Sequence, residues 1–252
     1  YELSSVLAGG SDTYRGGTGW DTLELRLTAG EWATHETAIR SFYTALSGQA
    51  RDPLTGNLLS SSAFATLNFG GGKVLSIASL EHLKVMVNGV EERLDFTPQI
   101  MAATAAGTVR EDQTFITSGT INFLDLNLAD THAVVVTPAV VGQPSFGNLT
   151  ASVTNVATGD GVGVVKWNYA LNNAAAQALA QGQSQVLQFN IRIQDSAGKF
   201  VDQAVAITVT GRNDGPAVTT ADLVGTVTEG SGLLSDTGFV AFRDVDLTDT
   251  HL

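Results

Sequence analysis

The 252-residue sequence contains no cysteine and few basic side chains. The absence of cysteine excludes disulfides and thiolate metal sites, so stability outside the cell would come from packing or from ions with oxygen ligands. Thirteen Lys and Arg stand against 25 Asp and Glu, which gives a net charge of −12. A charge of this sign repels nucleic acid phosphates and anionic membranes. We therefore expect divalent cations as partners and no nucleic acid.

Long hydrophobic runs are also missing. No segment approaches the roughly 18 apolar residues of a membrane-spanning helix, so no membrane-spanning segment is predicted. Residues 1–5 lack the basic start and apolar run of a signal peptide. We expect an internal fragment, or export by a route that needs no N-terminal signal. The hydrophobic content of 43% suffices for cores in one large or two to three small domains.

The chain repeats itself. Residues 107–132 return, with many identical residues, at 225–251. The offset is 118 residues from Glu111 to Glu229 and 119 from Asp125 to Asp244. Such a period matches a small domain and is too long for one turn of a solenoid. Because the second copy stops at Leu252, we expect the natural protein to continue as an array.

A glycine-rich turn near the start predicts a metal site. Residues 16–24 fit the Gly-Gly-x-Gly-x-Asp-x-apolar-x nonapeptide of calcium-binding parallel β-rolls. Glycines let such a turn aim backbone carbonyls inward, and an aspartate adds charge for a hard cation. The candidate ligands are Asp12, Gly17, Gly19 and Asp21. An ordinary glycine-rich loop is the alternative.

The next segment changes to helical spacing. A capping box of Thr28 and Glu31, followed by an apolar stripe and Gly48, predicts a helix from about Ala29 to Ser47. Short strands are predicted at 64–69, 74–77 and 83–87, with a tight turn at Asn88 and Gly89. We interpret residues 1–98 as the end of a parallel β-roll with a small mixed α/β cap domain.

The rest of the chain is patterned for a mainly β fold. Runs rich in β-branched and aromatic residues occur at 134–136, 149–153, 162–169, 186–193 and 201–209. They predict a Greek-key β-sandwich, complete over residues 99–217, and the truncated start of a second one at 218–252. The alanine-rich segment 171–181 predicts a short helix or a helical turn, and Trp167 and Tyr169 are predicted core residues.

Five segments together carry a family resemblance: 107–112, 123–128, 167–169, 193–198 and 211–216. They resemble the VCBS repeat, a bacterial domain similar to cadherin repeats that forms long tandem arrays in large surface and secreted proteins. The glycine-rich turn resembles the repeats of RTX proteins, which share hosts and secretion route with VCBS arrays. The resemblance implies part of a large bacterial RTX adhesin, exported by type I secretion to the cell surface or the medium.

The resemblance also implies calcium at the junctions between domains. Between the two copies, the matching residues are Glu111, Asn213, Asp214, Asp244 and Asp246, and Glu229 is the second copy's counterpart of Glu111. At the upstream junction they are Asp125, Asn127 and Asp195. Asn127 replaces a carboxylate, so weaker calcium binding, or none, is expected there. The alternative is that these motifs only form turns. His132 and His251 are interpreted as hydrogen-bonded structural histidines.

The sequence offers no catalytic motif, and no enzyme activity is predicted: there is no nucleophile elbow, no zinc-protease helix and no phosphate loop. We expect a calcium-binding structural or adhesive segment in which calcium makes the array rigid. The expected partners are calcium, neighbouring repeats, and a host or cell-surface protein or glycan. Two alternatives stay open: a carbohydrate- or protein-binding module that uses Trp20, Trp32 or Phe146, and the non-catalytic tail of a secreted hydrolase.

Overall fold

The computed structural model describes residues 11–59, 65–70 and 72–251, and the fold is mainly β, as the sequence predicts. Among these residues, the first unit has six strands and one helix. They are β1 (Ser11–Arg15), β2 (Thr22–Leu27), α1 (Ala29–Ser47), β3 (Ala65–Asn68), β4 (Val74–Ala78), β5 (His82–Val87) and β6 (Val90–Glu92).

These strands form two small sheets with the orders β1-β4-β3 and β2-β5-β6. The pairs β1–β4 and β2–β5 are both parallel. The turn at 16–21 therefore stacks on the turn at 79–81. The calcium-binding β-roll stays a prediction. Asn88 and Gly89 both have positive φ values of 50° and 83°, as the predicted tight turn between β5 and β6 demands.

Helix α1 begins and ends where the sequence predicts. The Thr28 hydroxyl accepts a hydrogen bond from the Glu31 amide, and the Glu31 carboxylate accepts one from the Thr28 amide. This capping box satisfies two backbone donors at the helix start. The apolar stripe, which includes Ile39, Phe42 and Leu46, is buried in a core shared with both sheets.

The second unit is a sandwich of two four-stranded sheets with the orders β10-β13-β14-β8 and β11-β12-β9-β7. Its strands are β7 (Gln99–Ala103), β8 (Ala106–Arg110), β9 (Ile116–Leu124), β10 (His132–Pro138), β11 (Gly147–Asn155), β12 (Val162–Leu171), β13 (Ser184–Asp195) and β14 (Phe200–Thr210). Trp167 and Tyr169 are fully buried in the core, as predicted. The predicted helix at 171–181 is shorter in the structure, because α2 covers only Asn173–Ala176.

The sequence repeat is also a repeat of strand register. Strands β15 (Ala217–Ala221) and β16 (Val240–Arg243) form an antiparallel pair. Their pairing begins at Ala217 with Arg243 and carries one irregularity, and β7 pairs with β9 in the matching register with the irregularity at the matching place. The domain boundaries at 98 and 217 stay predictions. Within the described residues, neither helix has the length and apolar content needed to cross a bilayer.

Candidate metal sites at two junctions

Two groups of three carboxylates lie near the ends of the sandwich. The upstream cluster is Asp125, Asp130 and Asp195, and the downstream cluster is Glu111, Asp112 and Asp214. In each cluster, one oxygen from every residue lies within 4.8 Å of the others. All three upstream residues are buried, whereas downstream Glu111 is buried, Asp214 is half-buried and Asp112 is exposed.

The downstream cluster begins directly after β8. Asp112 has a φ of 54°, a left-handed conformation that aspartate tolerates better than most residues and that turns the chain. The Gln177 amide donates a 2.7 Å hydrogen bond to Oε1 of Glu111. Asn173, in α2, donates to Oδ1 of Asp112 at 2.6 Å and accepts from its backbone amide at 2.9 Å. The short helix and the residue that follows it therefore position two of the three carboxylates.

The linker after β14 brings in the third carboxylate and contacts the second copy. The Arg212 amide donates to Oε2 of Glu111 at 3.4 Å, and the Asp214 amide donates to Oδ2 of Asp246 at 2.7 Å. The Asp246 amide in turn donates to Oδ1 of Asp244 at 3.0 Å. One oxygen of Asp214 (Oδ2) and one of Asp246 (Oδ1) are buried and accept no hydrogen bond from the described residues.

Glu111 and Asp214 of the downstream cluster are destabilised as anions, because they are buried or half-buried, are repelled by neighbouring carboxylates and have no basic side chain paired with them among the described residues. Burial raises the pKa of Glu111 to about 7, and the charges of Asp214, Asp112 and Asp246 add to the effect. The pKa of Asp214 is also raised, first by burial and then by Asp112 and Asp246. None of the ion pairs between described residues involves Glu111, Asp112 or Asp214. A cation would relieve this repulsion.

The other expected downstream residues are not among these three carboxylates. Asn213 is exposed, and its amide donates to the Asp214 carbonyl at 2.8 Å. Oδ2 of Asp244 lies 3.5 Å from Nε2 of His251, too far for a good hydrogen bond, so the predicted hydrogen bond of this histidine stays a prediction. Glu229 is exposed in the second copy.

The upstream cluster, in contrast, contains a protein cation. Arg93 donates two hydrogen bonds to Asp130, from Nη1 to Oδ1 at 2.9 Å and from Nη2 to Oδ2 at 2.6 Å. The Ser196 hydroxyl donates to Oδ1 of Asp130 at 2.9 Å. Nε2 of His132 lies 2.8 Å from Oδ2 of Asp125, so His132 has the predicted structural contact.

The two carboxylate oxygens of Asp195, the third upstream residue, differ in their hydrogen bonds. Oδ1 of Asp195 accepts from the amides of Ala197 and Lys199, both at 2.8 Å, while its Oδ2 is buried without a partner among the described residues. Asn127, expected as a ligand, uses both ends of its amide on the linker. Its Oδ1 accepts from the Phe96 amide at 2.6 Å, and its Nδ2 donates to the Leu94 carbonyl at 2.6 Å.

In the glycine-rich turn, one buried carboxylate oxygen, Oδ2 of Asp21, has no hydrogen-bond partner among the described residues. Gly17 and Gly19 have φ values of 114° and 110°, which only glycine adopts without strain. The Asp21 amide donates to Oε2 of Glu81 at 2.9 Å, which ties this turn to the turn stacked beneath it. The side chain of Asp12 lies outside the part of the chain that the structure describes.

Sequence reasoning missed four charged residues at these sites: Glu81, Arg93, Asp112 and Asp130. The repeat carried a signal for Asp130, because the Asp-Thr-His triplet recurs at Asp249. It carried none for Asp112, whose counterpart is Gly230.

The three aromatic residues considered as a ligand platform are partly buried. Trp20 and Trp32 pack against the core of the first unit, and Phe146 packs against the sandwich core.

No protein family matches the chain, and no curated protein matches it. Several solved structures are similar to part of the chain. The SrpA adhesin of Streptococcus sanguinis is 17% identical, with a TM-score of 0.34, over 46% of this chain and 60% of that one. The sialic acid binding region of the Streptococcus sanguinis SK1 adhesin is 13% identical, with a TM-score of 0.29, over 80% of this chain and 45% of that one.

Cadherin-like domains 1 to 4 of zebrafish RET are also similar, at 11% identity and a TM-score of 0.31, over 56% of this chain and 29% of that one. In each of these three comparisons, the match spans less than two thirds of the other chain. All three TM-scores lie below 0.5, so no conclusion about fold or function is drawn from these likenesses.

Proposed function

We propose that this chain is a calcium-binding structural segment of a secreted or surface-anchored bacterial repeat protein. We further propose that calcium stiffens the downstream joint, by which we mean the linker at residues 211–216 together with the carboxylates around it. The observation that carries the proposal is the downstream cluster, where three carboxylates converge without an ion pair and two buried oxygens nearby lack a partner among the described residues. An adhesive role, export by type I secretion and a host protein or glycan partner belong to the same proposal.

The donor set fits calcium better than other metals. Glu111, Asp112, Asp214 and Asp246 offer only carboxylate oxygens, the ligands that calcium prefers. Zinc and copper favour imidazole and thiolate, and the chain has no cysteine. Calcium takes 6 to 8 oxygen ligands, so backbone carbonyls or waters would complete the shell. When bound, the ion would supply charge neutralisation and a crosslink between the sandwich and the linker.

Calcium should also couple the sandwich to the following copy. Asp246 contacts the linker amide of Asp214 and is only 3% exposed. Without a cation, the carboxylates on both sides of the linker repel one another, which favours an open joint. With a cation present, the carboxylates on both sides of the linker would bind the same ion. A string of such acidic joints would become extended and stiff only where calcium is present.

Isothermal titration and calorimetry test the proposal. For a dissociation constant of about 0.1 mM, calcium at 1 mM should stabilise the folded chain by about 1.4 kcal/mol. This corresponds to a rise in melting temperature of about 3 to 6 °C. Magnesium at the same concentration is the control for charge screening and should give a much smaller rise.

Asp246→Asn should weaken calcium binding about tenfold or more, because it removes a buried negative charge beside the cluster. Asp236→Asn is the matched control: it makes the same change of charge in the same copy, at an exposed side chain that only caps backbone amides. Equal calcium affinities in the two variants, or equal stabilisation by calcium and magnesium, would contradict a calcium site at this joint.

A further inference from the structure

The upstream joint, with its linker at residues 93–98, and the downstream joint, with its linker at 211–216, have the same pattern of hydrogen bonds. Upstream, the linker amide of Phe96 donates to Oδ1 of Asn127 at 2.6 Å, and the Asn127 amide donates to Oδ1 of Asp125 at 2.8 Å. Downstream, the corresponding bonds run from Asp214 to Asp246 at 2.7 Å and from Asp246 to Asp244 at 3.0 Å. The joints are therefore two versions of one design, and their differences are informative.

The main difference between the two joints is the residue at the position that Arg93 occupies upstream. At the offset of 118 residues that aligns Pro98 with Pro216, Arg93 corresponds to Gly211. Glycine brings no side chain, and a Cβ on Gly211 would lie 2.0 Å from the Leu179 carbonyl oxygen. The downstream joint thus cannot carry an arginine at this position, whereas the upstream joint does.

The Arg93 guanidinium lies at the edge of the upstream cluster. Its two parallel bonds to Asp130 form the bidentate geometry that makes arginine–carboxylate pairs strong. The Asp130 side chain is only 2% exposed, while that of Arg93 is 45% exposed. A buried carboxylate is therefore neutralised from outside by a partly exposed cation.

A second observation indicates that this cluster has the capacity for a cation of its own. Asp195 is well buried, since only 5% of its surface is exposed, and its Oδ2 has no hydrogen-bond partner among the described residues. The cluster oxygens of Asp125, Asp130 and Asp195 lie within 4.8 Å of one another. Three convergent carboxylates with a free buried oxygen form a donor set suited to a hard divalent ion.

Apolar packing supports the same joint independently of charge. Leu124 and Leu126, at the end of β9 and just after it, are each 1% exposed and belong to the core of the first unit. The Asn122 side-chain amide donates to the Pro53 carbonyl at 2.8 Å, again across the joint. The first unit and the sandwich therefore share packed contacts in addition to the Arg93–Asp130 pair.

We infer that Arg93 is a built-in cation for the upstream joint: it takes the place of calcium there, so that this joint stays closed without calcium while the downstream joint requires it. The upstream carboxylates form a latent divalent-cation site that becomes available when the guanidinium is removed. The inference rests on the proposed function only for the contrast with the downstream cluster.

The test compares calcium binding by the full chain and by Arg93→Gln, using isothermal titration with calcium chloride. The variant should bind one more calcium ion per chain than the unaltered protein, with a dissociation constant of about 0.1 to 1 mM. Its melting temperature should fall in chelator and recover in calcium. If the variant folds only with calcium, this dependence supports the same conclusion.

Two controls separate the effect from the loss of any arginine. Arg192→Gln removes another bidentate pair, with Asp202 at 2.8 Å for both bonds, on the surface of the sandwich. It should leave the number of bound calcium ions unchanged. Arg93→Lys keeps a positive charge and should bind no additional ion.

An unchanged number of bound ions in Arg93→Gln, with no recovery of stability by calcium, would overturn the inference. An additional ion in Arg192→Gln or Arg93→Lys would also overturn it. Adding Asp246→Asn to Arg93→Gln distinguishes the two sites, because the gained ion should remain when the downstream ligand is lost. If Asp246→Asn changes nothing in either background, the downstream proposal fails while the upstream inference stands or falls on its own titration.

Discussion

Replacing Glu111 by Gln should change how the stability of the calcium-free sandwich depends on pH. Burial raises the pKa of this carboxyl from 4.5 to about 7 in the folded state. Between these values the folded chain binds more protons than the unfolded one, so the free energy of unfolding falls as pH rises. The difference of about 2.5 units corresponds to at most about 3 kcal/mol. The side-chain amide of the Glu111→Gln variant does not titrate, so the variant lacks this fall.

The measurement is the free energy of opening of the β8 and β14 amides by hydrogen exchange, in chelator, from pH 4.5 to 7.5. His82 acts in the opposite direction, because burial lowers its pKa to about 4 and its contribution to stability rises with pH between about 4 and 6.5. Both chains keep His82, so the difference between them isolates Glu111. Glu229→Gln is the matched control, since its side chain is exposed in the second copy.

Relative to Glu111→Gln, the unaltered protein should lose up to about 3 kcal/mol as pH rises from 4.5 to 7.5. Millimolar calcium should reduce or reverse this loss at neutral pH, because a bound cation favours the ionised carboxylate. A difference that stays constant across the pH range would refute the conclusion that Glu111 is destabilised as an anion. If Glu229→Gln lost the same pH dependence, the pH dependence could not be assigned to Glu111 in the downstream cluster.

Two further predictions concern the frame that holds the joints. Gly211→Ala should destabilise the sandwich by about 1 to 3 kcal/mol in urea unfolding, because the new methyl group would overlap the Leu179 carbonyl; Gly215→Ala, with nothing within 4 Å, should cost much less. Thr28→Ala should lower the stability of the first unit by about 1 kcal/mol through loss of the helix cap, whereas Thr34→Ala, inside the same helix, should not; equal losses in the two variants would exclude capping as the cause.

Local signals predicted the elements that depend on neighbouring residues. The capping box and apolar stripe placed α1 at Ala29–Ser47, because both act within a few turns of helix. The β-branched run at 201–209 lies within β14 for the same reason. In contrast, β9 (Ile116–Leu124) was not predicted. It includes Gly119, where a Cβ would lie 2.6 Å from the Trp167 ring, so its composition reflects a tertiary contact.

The residues of the candidate sites also fall into two groups, those that a local motif indicates and those that only the folded chain brings together. The family resemblance pointed to Glu111 and Asp214, because both belong to motifs that resemble a known junction. Arg93 and Asp130 are 37 positions apart, and their pairing depends on the packing of the first unit against the sandwich. Burial of the three upstream carboxylates is likewise a property of the folded chain. Residue types could therefore indicate metal ligands, but not which cation each cluster meets.

The contrast between the two joints bears on how an array of this kind could respond to calcium. If every joint depended on calcium, a chelator would loosen the whole chain at once. Here the joint with Arg93 has buried leucines across it and a guanidinium paired with one of its carboxylates, whereas the carboxylates of the downstream cluster have no ion pair among the described residues. Calcium dependence would then be confined to the joints between repeats, while the first unit and its adjoining sandwich would move as one body. In chelator, hydrogen exchange should show faster opening only at amides beyond residue 211, and an increase in exchange on calcium removal at amides where the first unit meets the sandwich would contradict the proposed role of Arg93.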